Sequence, residues 1–267
     1  MKKVLFIIVC LFAISSTDAK QSKQFTKTKK LALKGSVNSQ YNLGTFYYTG
    51  KGVKKNYKEA LYWYKKAAKQ GLANAQYNLG IMYKAGKGVT KNLKTAFYWY
   101  KKAAKQDYVG AQYNIGVMYR DGIGTTKDLK KAIYWFTKAA KKNEPDAQFN
   151  LAIMHKKGQG TPVNYKQAFY WYQKSADQGY SFSQYDLGAL YYGGKGVAKD
   201  DKKAMYWFQK SAAQGYALAE CTIGLMYAKG DGVKKDLKKA KVWIARAHKS
   251  GSTRAKKAWD LFNLSKY

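Results

Sequence analysis

A tryptophan returns every 36 residues. Trp63, Trp99, Trp135, Trp171, Trp207 and Trp243 keep that interval without an insertion or deletion and take up six of the chain's seven tryptophans. A second column, Gly44, Gly80, Gly116, Gly188 and Gly224, keeps the same interval and is broken only by Ala152. Such a period in a chain of 267 residues predicts an array of like units, each hiding its apolar side on the next. Six units fit between Gly35 and Ser250, at 35–70, 71–106, 107–142, 143–178, 179–214 and 215–250.

Within the unit 71–106 two helical patterns flank a glycine-rich turn. From about Ala73 to Ala85, the residues Ala75, Leu79, Gly80, Met82 and Tyr83 share one arc. A glycine inside a helix costs ~1 kcal/mol relative to alanine. Its recurrence therefore reads as a notch for a bulky side chain of the partner helix, with the aromatic column as the natural occupant. From about Leu93 to Lys105 the pattern is amphipathic. Leu93, Ala96, Phe97, Trp99, Tyr100, Ala103 and Ala104 take one face, and Lys94, Tyr98, Lys101, Lys102 and Lys105 the other. One buried indole contributes on the order of 4 to 6 kcal/mol before entropy is subtracted, so the tryptophans read as core.

The punctuation repeats too. Asn56, Asn92, Asp128, Asn164, Asp200 and Asp236 precede each second helix, where their side chains can accept from free amides. Gly35, Gly71, Asp107, Asn143, Gly179, Gly215 and Gly251 end those helices, and each tolerates the left-handed backbone of a C-cap. Pro145 and Pro162 fall at a helix start and in a turn. Gly-x-Gly pairs such as Gly86 and Gly88 lack the strand, third glycine and acidic residue of a dinucleotide site; they read as turns.

The ends depart from the period. Residues 24–34 read as the tail of a capping second helix, and Trp259, Leu261, Phe262 and Leu264 as a closing cap over 251–267. Residues 1–19 have the form of a secretory signal: Lys2 and Lys3, an apolar run from Val4 to Ile14, and a small residue, Ala19, as cleavage point. That run falls short of the ~20 residues of a spanning helix, and Ile8 and Val9 before Cys10 do not suit lipidation. The expectation is an exported chain, periplasmic or extracellular, with no transmembrane span once mature. Cleavage leaves Cys221 as the one cysteine, hence no disulfide framework, and a charge of +34 against +35 for the whole chain. A charge that large points to acidic partners or anionic polymers.

Ala-Gln-Tyr-Asn-Leu-Gly at 75–80, a tyrosine at 83, Gly-Lys-Gly-Val at 86–89 and Ala-Phe-Tyr-Trp-Tyr-Lys-Lys-Ala-Ala at 96–104 resemble the Sel1-like repeat, a branch of the tetratricopeptide superfamily. The resemblance runs from about Gly35 to Ala258. It implies an all-α, right-handed α-solenoid of helix–turn–helix repeats that acts as an adaptor or scaffold for other proteins, often in bacterial envelopes and host-interacting systems. Cysteine-rich relatives with paired cysteines are linked to β-lactam binding or hydrolysis. This chain lacks the pairs, so that activity is not carried over.

Two surfaces are candidates. On the first helices Asn42, Asn78, Asn114, Asn150 and Asp186 form a polar ladder flanked by Tyr48, Lys84, Arg120, Lys156 and Tyr192. It is suited either to an extended peptide or to bonding between neighbouring repeats. On the second helices Tyr62, Tyr98, Tyr134, Tyr170 and Tyr206 stand among lysines such as Lys58, Lys66, Lys94 and Lys102. That stripe suits an anionic polymer or membrane surface, or else a solvated face with tyrosines under lysine stems. Nucleic acid is the weaker partner for an exported chain. No nucleophile, base and acid recur together, and no cluster has metal-ligand spacing. The expectation is therefore a scaffold, not an enzyme, with no cofactor and no metal; a cell-wall hydrolase is the last alternative.

Overall fold

The structure is a computed structural model that describes residues 22–267. The signal-like segment, with Cys10 and Ala19, lies outside the described residues. Every regular element among those described is helical, and the chain divides into two units between Asp128 and Leu129. The first contains α1 (22–33), α2 (Val37–Thr49), α3 (Tyr57–Lys69), α4 (Ala73–Ala85), α5 (Leu93–Lys105) and α6 (Val109–Asp121). The second contains α7 (Leu129–Lys141), α8 (Pro145–Lys157), α9 (Tyr165–Asp177), α10 (Ser181–Gly193), α11 (Asp201–Ala212), α12 (Ala217–Lys229), α13 (Leu237–Lys249), α14 (Thr253–Leu261) and a short 3₁₀ turn, Leu264–Lys266. Within each unit helices pack mainly on their neighbours in sequence, the pattern of an α-solenoid.

Local chemistry sets each hairpin. Asn92 Oδ1 accepts from the Thr95 amide at 2.9 Å and Asp200 Oδ1 from the Lys203 amide at 2.9 Å; the same cap opens α3, α9 and α13. The capping residue's own amide donates back to the first helix, as from Asn92 to Tyr83 O at 2.9 Å and from Asp200 to Tyr191 O at 3.0 Å. One residue type thus starts the second helix and closes the turn. All seven expected C-cap residues, Asp107 and Asn143 included, have positive φ.

In the turn itself, the first glycine is the left-handed C-cap of the first helix, as at Gly86 with φ 71°. The second presses on the preceding hairpin: a methyl group at Gly88 would run into the carbonyl of Tyr57, and at Gly196 into that of Tyr165. These glycines hold repeat against repeat by backbone contact.

The helix notch is filled from the partner helix, by an aromatic ring at Gly44, Gly80 and Gly188 and by an isoleucine at Gly224. An added Cβ would lie 2.7 Å from the Tyr64 ring at Gly44, 2.5 Å from Tyr100 at Gly80, 2.8 Å from Phe208 at Gly188 and 2.5 Å from Ile244 at Gly224. The occupant is the residue after the tryptophan. The indoles are nevertheless core: Trp63, Trp135, Trp171 and Trp207 are buried, Trp99 and Trp243 half-buried. Trp63 packs with Ala32 of α1 and Leu43 of α2.

A buried glutamine column adds polar ties. Gln76 Nε2 donates to Ala68 O at 3.2 Å, at the end of the preceding helix, while Gln106 Nε2 donates to Gln76 Oε1 at 2.8 Å and to Gly71 O at 2.8 Å. Gln40 with Gln70 and Gln184 with Gln214 repeat the arrangement. The sixth repeat replaces it with a charge pair: Glu220, 1% exposed, meets Arg246 Nε at 2.6 Å.

At the N-terminal end Phe25 of α1 lies edge-on to Phe46 and Tyr47. At the other end Trp259, Phe262 and Leu264 close the last core cluster. Leu261 does not join them and is 74% exposed. The backbone reverses at Asn263, with φ 48°, and folds Leu264 inward in its place.

Candidate functional site

The first-helix ladder is largely engaged within the protein. Asn114 and Asn150 donate to carbonyls of their own helices, Gly110 and Asp146, each at 2.8 Å. The Tyr64 hydroxyl lies 3.1 Å from Thr45 Oγ1, and burial pushes its pKa up to about 12. Asp186 pairs with Lys156 of the preceding repeat at 2.7 Å. Of the flanking residues, Tyr48 accepts from Lys87 Nζ at 2.8 Å, Arg120 forks onto Asp121 through two bonds of 2.7 Å, and Tyr192 donates to Asp231 at 2.6 Å. That bond to a carboxylate raises the Tyr192 hydroxyl to about 12. Asn42 and Lys84 are exposed. Bonding inside the repeats accounts for most of the ladder.

An aromatic column stands beside it. Tyr41, Tyr77, Phe149 and Tyr185 stand one residue before the ladder positions. In the first unit Tyr77 meets Tyr108 at 4.7 Å and Tyr100 at 5.6 Å between centroids. The second unit carries a longer run of rings: Phe149 with Phe182 at 6.0 Å, Phe182 with Tyr216 at 5.1 Å, and Tyr216 with Tyr185 at 5.3 Å. Phe182 sits four residues before Asp186, on the same face of α10, and is 43% exposed. The 36-residue period would have revealed this column, since the position is aromatic in every repeat except the last.

On the second helices each tyrosine of the stripe is about half exposed. Tyr62 lies edge-on to Trp63 at 5.0 Å, and Lys66 Nζ stands 4.9 Å over its ring. Tyr98 with Lys102 at 5.0 Å and Tyr206 with Lys210 at 5.0 Å repeat this, as do Tyr134 with Lys138 and Tyr170 with Lys174 at longer range. The lysines thus cover the rings, as the solvated-face alternative has it, but by placing an ammonium over each. Lys58 and Lys94 are exposed.

His155 Nδ1 is buried without a hydrogen-bond partner, and burial lowers its pKa. His248 lines, with Ala245, Ala255, Lys256, Trp259 and Asp260, an open apolar cleft of about 430 Å³ under α14. Among the described residues no three His, Cys, Asp or Glu side chains come together to hold a metal. No helix of the described residues is long and apolar enough to cross a membrane.

The Sel1 repeat family matches residues 37–72, 73–108, 109–144, 145–180, 181–216 and 217–252. No curated protein matches the chain. Among solved structures it is similar to c5321, a protective antigen of uropathogenic Escherichia coli with an SLR fold, at 34% identity and a TM-score of 0.83 over 86% of this chain. The chain spans about half, 50%, of that antigen's length. It is also similar to a Sel1 repeat protein of Oxalobacter formigenes, at 32% identity and a TM-score of 0.73, over 89% of this chain and 95% of that one. With the repeat pattern matched over nearly all of the described hairpins, the chain belongs to the Sel1-repeat family.

Proposed function

We propose that the chain is an exported scaffold that holds an acidic protein partner on the first-helix face of its repeats. Sel1-repeat proteins generally mediate protein–protein interaction and are typically non-enzymatic. The observation that carries the reading is the ring cluster of Phe149, Phe182, Tyr185 and Tyr216, with Phe182 open to solvent beside the Lys156–Asp186 pair. Rigid aromatic anchors ringed by polar groups supply most of the binding energy in protein interfaces. The large positive charge steers an acidic partner toward such an anchor. Export is supported by the signal-like residues 1–19 and by the similarity to an antigen.

Affinity purification from the native cell with the full chain and with Phe182→Ala, Tyr216→Ala tests the assignment. Loss of a hot-spot anchor costs ≥ about 2 kcal/mol, so the recovered partner should fall by about thirtyfold. Equal recovery by the double variant would remove the first-helix face from consideration. Appearance of the full-length chain inside the cytosol, unprocessed, would remove export.

A further inference from the structure

We propose that the second-helix face of each unit binds a linear acidic polysaccharide whose sugars carry carboxylates. This surface is separate from the ring cluster, and either assignment can fail alone. Five repeats present the same three-part group: an indole edge, a half-exposed tyrosine ring against it, and an ammonium from the lysine four residues on, at 4.9 to 5.9 Å from the ring centroid. The first unit carries the group at Tyr62 and Tyr98, the second at Tyr134, Tyr170 and Tyr206.

An ammonium held over a ring has given up much of its side-chain freedom before any ligand arrives. Each repeat therefore offers a placed positive charge instead of a mobile one, and ordering costs on binding fall. Carboxylates are scarce on these helices. α5 and α7 contain none, and α3, α9 and α11 one each, at Glu59, Asp177 and Asp201. A further exposed lysine lies four residues before each tyrosine, as at Lys58 and Lys94.

Chemistry separates the possible polyanions. Single-stranded nucleic acid binds by stacking bases on bare ring faces, and here an ammonium stands over each ring. Of the 50 basic residues only Arg120, Arg246 and Arg254 are arginines; the one on a second helix, Arg246 of the sixth repeat, is paired with Glu220, so the five tyrosine groups lack the fork that grips phosphate in two places. A membrane surface requires apolar side chains that insert below the headgroups; in these five repeats the large exposed side chains of the second helices are tyrosines. The tyrosine hydroxyls make no hydrogen bond to the described residues and suit sugar hydroxyls.

The test is calorimetric titration of the full chain with polygalacturonate at low salt and at about 200 mM salt, beside dextran, polyglutamate, duplex DNA and anionic vesicles. One variant replaces Lys66, Lys102, Lys138, Lys174 and Lys210 with Gln. A second replaces the five stripe tyrosines with Ser, and a charge-matched control replaces Lys54, Lys91, Lys127, Lys157 and Lys234 with Gln. Helical circular dichroism and melting confirm that each is folded. Polygalacturonate should bind with strong salt dependence, and both stripe variants should lose about tenfold or more where the control loses less than about threefold. An equal loss in the control, an unchanged tyrosine variant, no binding at low salt, or polyglutamate, DNA or vesicles bound as tightly would each overturn the assignment.

Discussion

At Gly80 a methyl group would lie 2.5 Å from two carbons of the Tyr100 ring. Alanine would gain ~1 kcal/mol of helix propensity, but overpacking a buried ring costs about 1–3 kcal/mol. Gly80→Ala should therefore lower stability by about 1 kcal/mol, read as a reduced denaturant midpoint, and Tyr100→Leu in the same chain should restore part of it. The notch was legible in the sequence because glycine recurred where glycine is unfavourable. That an aromatic side chain fills it was legible as well, but not which one: Trp99 and Tyr100 are adjacent on one wheel face, and a wheel resolves angle without depth. His155 gives a second test at this scale. Burial depresses its pKa, so the unfolded state takes up the proton first. Its contribution is fully present above the ordinary histidine value of ~6.5 and is lost as pH falls below it. Between about pH 7 and 5.5 the wild-type chain should lose more melting temperature than His155→Tyr, which restores the residue found at this point in the preceding repeats.

The hairpins are joined by their glutamines. Gln184 donates to Ala176 O at 3.2 Å and accepts from Gln214 at 2.9 Å. Gln184→Leu removes both bonds, while Ala176 O keeps the Gly179 amide and Gln214 keeps Gly179 O; at about 0.5–1.5 kcal/mol per bond it should cost about 1–3 kcal/mol with an unchanged denaturant slope. In the last repeat Glu220 Oε2 has no hydrogen-bond partner and the carboxylate depends on its charge pair with Arg246. Arg246 is half exposed, so water softens its loss. Arg246→Ala should still destabilise measurably, and adding Glu220→Gln should recover stability by removing the stranded charge; thermal melts of the single and double variants decide it. Helix limits, caps and turns were readable because each follows from one residue's backbone preference. The glutamine ties and the ring column were missed because they join residues 30 to 35 positions apart, and neither helix pattern nor composition points to such pairs. In the polar ladder Asn114 and Asn150 turn back onto their own helices, which no periodicity reveals.

For the whole molecule, a charge of +35 works against compaction through self-repulsion. Screening sets in over about 8–10 Å at physiological ionic strength. Raising chloride from about 10 mM to about 150 mM should raise the melting temperature of the full chain, and a flat or falling response would mean that the lysines are already compensated. The turn glycines act on this scale as well. The second glycine of the turn rests directly on the start of the preceding second helix, as Gly88 does on Tyr57, Gly196 on Tyr165 and Gly232 on Asp201, leaving no slack for an added or missing residue within a unit. Length in this chain is therefore counted in hairpins. Duplication or loss of a whole 36-residue module keeps every seam intact, whereas a single inserted residue would unseat one glycine and its neighbour's helix start together, so such a lineage can lengthen or shorten only in whole steps.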